Sequence, residues 1–205
     1  MTYHPADLVA RTERLVLRRW REEDAEAFVA LNADPEVMRY VGGVLDRAGS
    51  DALLTRLQEG WRRDGYGRAA VEDSTSGDLL GFVGLGPHAA VPGEVEIGWR
   101  LAGRAWGRGL ATEAAVAMLD LAFDTLGLER IVSVTVPDNA ASLAVMRHIG
   151  MRHWRDLRHE GLTLAVHEMR AGDPRPKAQP GVRPETQRGV RPETPRGVRP
   201  EAPAY

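Results

Sequence analysis

The sequence predicts an α/β domain built on one mixed sheet with helices on both faces, and three observations point to it. First, residues 94–101 alternate in polarity, a glycine-bearing loop follows, and an apolar helix then leads to a second strand at 131–136. Strand, loop, helix and strand make a right-handed crossover, the connection that joins parallel neighbours. Second, the alternating runs 69–72 and 80–85 read as a hairpin, and 154–159 with 162–169 as two closing strands. Third, helical periodicity at 22–33, 50–63 and 140–148 supplies elements to cover the sheet.

Taken in order, Leu15 and Leu17 mark the first strand. Residues 22–33 open with acidic side chains, which the positive end of a helix dipole favours, and continue with apolar spacing. In 50–63, Leu53, Leu54, Leu57 and Trp61 fall on one helical face. Glycine and aspartate punctuate the hairpin that follows. Within 94–101, Val95, Ile97, Trp99 and Leu101 share one face, and Glu94, Glu96, Gly98 and Arg100 share the other. Ala114, Ala115, Met118, Leu121, Ala122 and Leu126 then recur at helical spacing until Gly127 ends the helix. Pro137-Asp138-Asn139 turns the chain into the short helix 140–148, which stops at Gly150.

A chain of 205 residues can hold one full core, but the composition changes near Gly172. Eight of the 13 prolines lie in 173–205, where an eight-residue repeat runs from Gly181 to Ala204 with one valine in each copy. So little apolar surface cannot offset the entropy of ordering, which predicts a domain at 1–172 and a disordered, extended tail at 173–205. The tail carries a net +3, which leaves −5 on the first 172 residues of a chain whose total is −2. A solubilising tail is expected, with a weak tether to RNA or an acidic partner as the alternative and no specific nucleic-acid binding. There is no cysteine, which excludes disulfides, thiolate metal sites and a cysteine acyl-enzyme. His148, His153, His159 and His167 have no metal-ligand spacing, so no metal is expected. With no apolar run near 18 residues and no signal-peptide core, the expectation is a cytoplasmic protein that does not enter a membrane.

The chemistry concentrates in Arg104-Ala105-Trp106-Gly107-Arg108-Gly109-Leu110-Ala111-Thr112-Glu113. Two glycines separated by one residue let successive N–H groups converge, and the positive end of the following helix adds to the attraction for a phosphate or pyrophosphate. Arg104 and Arg108 can add charge, while Glu113 serves the helix dipole and local hydrogen bonds. Without Gly-Lys-Ser/Thr the loop is not a P-loop, and without a third glycine it is not a dinucleotide fingerprint.

This loop resembles the Arg/Gln-x-x-Gly-x-Gly/Ala motif of the Gcn5-related N-acetyltransferase (GNAT) family. Other pieces match in the family's order over roughly residues 10–171. They are 12–19, Gly81-Phe-Val-Gly-Leu85, Glu96-Ile-Gly-Trp99, Trp106 to Ala114, Pro137 to Ser142, and Ile149-Gly-Met151. Together they look like the branch that holds the ribosomal-protein N-terminal acetyltransferases. The resemblance implies a mostly antiparallel sheet of about seven strands, in which a parallel pair splays apart to bind acetyl-CoA as co-substrate. It implies cofactor contacts from Trp99, Arg100 and Leu101, chiefly through the backbone, from Arg104, Trp106, Gly107, Arg108, Gly109, Leu110, Ala111 and Thr112, and from Asn139 and Ser142.

Ser142 is the candidate donor to the departing sulfur, since Met146 stands where many members carry a tyrosine. Glu96 matches the family's Glu-Ile-Gly-aromatic strand and is a candidate base, working through water, as is Glu94. Glu160 falls one residue short of the acidic position that serves as base in the ribosomal-protein branch. The implied activity is direct acetyl transfer to a primary amine, either a protein N-terminus or a small amine. A non-catalytic acyl-CoA sensor or interaction protein is the alternative. The branch resemblance also allows a homodimer, although no stretch specifies an interface.

Overall fold

The computed structural model describes residues 7–178. Eight strands form one sheet: β1 (Leu8–Arg11), β2 (Leu15–Arg18), β3 (Arg68–Asp73), β4 (Leu79–Gly86), β5 (Glu96–Leu101), β6 (Arg130–Thr135), β7 (Arg152–His159) and β8 (Leu162–Arg170). Their spatial order is β1-β2-β3-β4-β5-β6-β8-β7, and every neighbouring pair is antiparallel except β5 with β6. The parallel pair is joined through α4 (Leu110–Asp120), the crossover predicted from the alternation of 94–101 and the helix after it.

Five helices accompany the sheet: α1 (Ala25–Ala33), α2 (Pro35–Met38), α3 (Arg47–Asp64), α4, and α5 (Ala140–His148). Leu53, Leu54, Leu57 and Trp61 form the buried stripe of α3, as their spacing requires. Each such side chain contributes about 1.5–3 kcal/mol on full burial, which outweighs the roughly 1 kcal/mol that each of Gly49 and Gly60 costs the helix. Leu53, Leu54 and Leu57 pack with Phe28 and Leu31 of α1 and with Trp20 and Phe82 on one face of the sheet. The other face meets α4 through Ala114, Ala115, Met118 and Leu119, and meets α5 through Met146.

Four expectations change in detail. β1 is an eighth strand beyond the seven or so expected; it has four residues, of which Val9 alone is buried, so it offers no alternation to read. The helix expected over 22–33 begins as a 3-10 turn, Glu22–Asp24, because the Asp24 carboxylate is held by Arg18 and by the Arg21 N–H rather than left to cap a regular first turn. The apolar run after α4 ends in a π-turn, Leu121–Thr125, before Gly127 turns left-handed at φ 67°. Finally, contacts with the domain continue past Gly172. Arg175 is buried against Asp120 and stacks 4.9 Å from the Phe123 ring, and Lys177 reaches Asp124 at 2.7 Å. The repeat at 181–204 lies outside the described residues, among which no helix is long and apolar enough to cross a membrane.

Candidate active site

The site begins where the parallel ladder ends. β5 and β6 share one register pair, Glu96 with Val132, and the Val132 N–H donates to Val95 C=O at 3.0 Å. Backbone groups alternate sides along a strand, so if Val95 faces β6, Trp99 and Leu101 face it too, while Gly98 and Arg100 face β4. Pairing with β6 does not extend to Trp99 and Leu101, so their N–H groups look into the gap between the strands. The Leu101 carbonyl is taken by the Trp106 indole, whose Nε1 donates to it at 2.7 Å. The Arg100 backbone belongs to the β4 ladder, so what Arg100 offers the gap is its side chain.

At the end of β5 the chain enters the glycine loop. Gly107 and Gly109 have φ of 70° and 75°, the left-handed region in which a Cβ is strained. Gly109 caps α4 without any side-chain cap, and the first hydrogen bond into the helix runs from Glu113 N–H to Gly109 C=O. The N–H groups of Leu110, Ala111 and Thr112 therefore remain at the positive end of the helix, an arrangement suited to a phosphate.

Glu113 holds the loop in place. It accepts from the Thr12 hydroxyl at 2.5 Å, from Arg14 N–H at 3.0 Å and from Arg14 Nε at 2.7 Å, while Arg14 Nη1 donates to Arg108 C=O at 2.9 Å. Partial burial opposes its charge, but these hydrogen bonds prevail and hold Glu113 below the usual carboxylate range. The cations divide differently from the sequence expectation. Arg104 turns to Leu79 C=O at 2.6 Å and lines a separate recess beside α1, whereas Arg14, from the distant β1–β2 turn, lies next to Gly109.

An open cleft of about 240 Å³ occupies the gap and the α1/α3 side of β5. It brings Glu96, Trp99, Arg100, Asn139, Ser142, Met146 and Glu160 together, whereas Trp106 and the glycine loop lie outside its wall. Asn139 caps α5, its Oδ1 accepting from Ser142 N–H at 3.1 Å. The Ser142 hydroxyl makes no hydrogen bond among the described residues, so the cap occupies its backbone and leaves Oγ free.

Glu96 is buried and folds back over Gly98, 3.1 Å from where a Cβ there would stand. Arg68 Nη2 holds one of its oxygens at 2.6 Å. Glu94 sits outside this cleft wall, paired with Arg130. Glu160 occupies the two-residue turn between β7 and β8 with φ 48°, a left-handed conformation unusual for glutamate, and its side chain is 60% exposed at the cleft mouth.

Three further cleft residues, Arg68, His88 and Tyr40, were not singled out from the sequence. Each comes from a segment without a motif, and only the fold brings them to Glu96. His88 accepts from Ala90 N–H on Nδ1 at 3.2 Å, which leaves the proton of its neutral ring on Nε2. Burial pushes His88 below the ordinary histidine value against the pull of Glu96, with Arg68 and His159 adding to the depression.

Residues 14–152 match the family described as Acetyltransferase (GNAT) domain. Over 162 residues the chain is 33% identical to the protein YkkB of Bacillus subtilis strain 168, covering 78% of this chain and 94% of that one. It is 30% identical over 146 residues to an N-acetyltransferase of the same strain, YnaD, covering 69% and 81%. The crystal structure of an acetyltransferase from Agrobacterium tumefaciens strain C58 superposes with a TM-score of 0.69 at 33% identity, covering 78% of this chain and 92% of that one.

Proposed function

Because this chain belongs to the GNAT acetyltransferase family, and is thereby an acetyl-CoA-dependent N-acetyltransferase, we propose that acetyl passes directly from the thioester to a primary amine held in the cleft beside β5. One observation carries this reading: the unpaired edge of β5, the free Ser142 hydroxyl and the carboxylates Glu96 and Glu160 all meet in a single cleft. The pyrophosphate would rest on the N–H groups of the Gly107–Gly109 loop and the first turn of α4, with Arg108 supplying charge and the Arg14–Glu113 pair holding the loop in place. Pantetheine would run along Trp99 and Leu101 and place the acetyl group at the opening between β5 and β6.

The proton inventory assigns the roles. An α-amine with a pKa near 7.8 is about one-third neutral at pH 7.5, whereas a lysine amine near 10.4 is neutral only about one time in a thousand. Glu96, inside the cleft and oriented by Arg68, takes the ammonium proton through water; Glu160, at the mouth, attracts the incoming cation. The amine nitrogen then attacks the acetyl carbon as the carbonyl π pair moves to oxygen, and a β5 N–H stabilises that oxyanion. Collapse breaks the C–S bond, the leaving thiolate accepts a hydrogen bond from Ser142 Oγ, and the extra proton on the former amine nitrogen passes through water to that thiolate. No enzyme acyl intermediate is formed.

The motifs that resemble the ribosomal-protein branch lie mostly on the cofactor side, so the acceptor class, protein N-terminus or small amine, is read from the cleft instead. Ser142→Ala tests the assignment. It lowers kcat about 10- to 100-fold, the range for removing one hydrogen bond to a charged group, and leaves the Kd for acetyl-CoA within about twofold. Unchanged kcat removes Ser142 from the chemistry.

A further inference from the structure

Arg100 has no part in the scheme above. It stands on the Glu96 face of β5, lines the cleft, and is 8% exposed. Its Nη1 donates to Asn32 Oδ1 at 2.6 Å, and Asn32, fully buried, donates in turn to Ser50 Oγ at 3.3 Å. Its guanidinium carbon lies 5.1 Å from the centre of the Phe82 ring. Nothing else holds it: Nε is buried without an acceptor, and no carboxylate pairs with it among the described residues.

The chain treats another buried arginine differently. Arg18, also buried, is clamped by Asp24 at 2.7 Å and Glu72 at 2.6 Å. A buried cation without a counter-ion carries a desolvation penalty that a single amide and an aromatic face do not offset. Burial, and then Arg68, pushes Arg100 down to about 10, so it stays charged at neutral pH. The neighbouring charges leave that +1 standing, since Arg68 and Glu96 neutralise each other and Glu160 is solvated at the rim. Asn32 occupies Nη1 and Nε is enclosed, so Nη2, which makes no hydrogen bond among the described residues, is the charged donor left to the cleft, and a carboxylate is the acceptor that suits it.

We propose that the acceptor is an amino-carboxylate, whose anionic end docks on Arg100 Nη2 in the cleft floor while its amine faces Glu96 and the thioester. The proposal rests on the acetyltransferase reading of the cleft. The net −5 of residues 1–172 on its own would favour a cationic acceptor, but the local charge of the floor decides recognition rather than the total.

The test compares α- and ω-amino acids with their primary amides as acceptors in the presence of acetyl-CoA, for the wild type and Arg100→Gln. Each is expressed as the ratio of kcat/KM for acid over amide, a ratio that does not depend on how much of a preparation is folded. The wild type favours the acids by about 10- to 100-fold and Arg100→Gln brings the ratio to about one. If Arg100→Gln does not fold, Arg100→Met, which keeps an unbranched stem but removes the charge and the donor, brings the ratio to about one in its place. Equal use of acids and amides by the wild type, or a preference that survives substitution, overturns the proposal.

A second readout separates this from the failure of the transferase reading: thermal shift with the products themselves, N-acetyl amino acids against N-acetyl amino amides. Should no amine be acetylated, stabilisation by the acids alone, lost in the variant, retains the anion subsite and removes the transferase. The absence of any such difference removes the subsite as well.

Discussion

Glu160 has the clearest conflict between backbone and side chain in this molecule. Its φ of 48° is imposed by the two-residue turn it shares with Gly161, a position that asparagine or glycine fills with less strain. Its carboxylate at the cleft mouth offers a reason for the choice. Glu160→Asn therefore relaxes the turn, raising stability by about 0.5–1 kcal/mol in thermal or denaturant unfolding, while KM for a cationic acceptor rises several-fold. A gain in stability without any change in KM leaves Glu160 as a turn residue only. Ser142 was legible at this scale because a motif carries it. Arg68 and His88 were not, since each is an ordinary residue of a strand or loop until β3, β4 and β5 lie side by side. Arg14 was hidden for the same reason, as the contact that brings it to Gly109 spans nearly a hundred residues of chain.

Among the elements, the loop before α4 depends on a lock supplied from outside itself. Glu113 bonds Thr12 and Arg14, and Arg14 bonds the Arg108 carbonyl, so the β1–β2 turn sets the conformation in which the loop offers its N–H groups. The folded value of Glu113 lies below its ordinary 4.5, so its contribution to stability is complete above that value and is lost as pH falls through the folded one. The difference in unfolding free energy between wild type and Glu113→Gln should be flat above about pH 5 and should shrink below about pH 4.5. A difference that grows on acidification contradicts the lock. Periodicity made α3, α4, α5 and the β3–β4 hairpin readable, because each buries one face. It missed β1, too short to alternate, and it read 22–33 as one helix because Asp24 looks like an acidic first-turn residue when it is in fact the partner of buried Arg18.

For the whole molecule, composition and contacts place the edge of the domain differently. The proline-rich composition begins at Asp173, yet Arg175 and Lys177 still bind Asp120 at the end of α4 and Asp124 in the π-turn after it, and Ala178 N–H donates to Asp120 at 2.9 Å. Composition reports how much apolar surface a segment carries and is blind to an arginine that buries itself on Phe123. Truncation after residue 172 should lower unfolding stability by about 1–2 kcal/mol, while truncation after Ala178 should change neither stability nor turnover of a small acceptor. Equal behaviour of the two truncations returns the boundary to Gly172.

Direct acetyl transfer in the cleft between β5 and β6 is tested by a time course of the purified protein with acetyl-CoA and a panel of amino acids, peptides and simple amines. Thiol release is followed alongside the acetylated product by mass. Direct transfer gives acceptor-dependent thiol release matched one for one by an acetylated amine. Tight binding of acetyl-CoA with no acetylated product across that panel would contradict it.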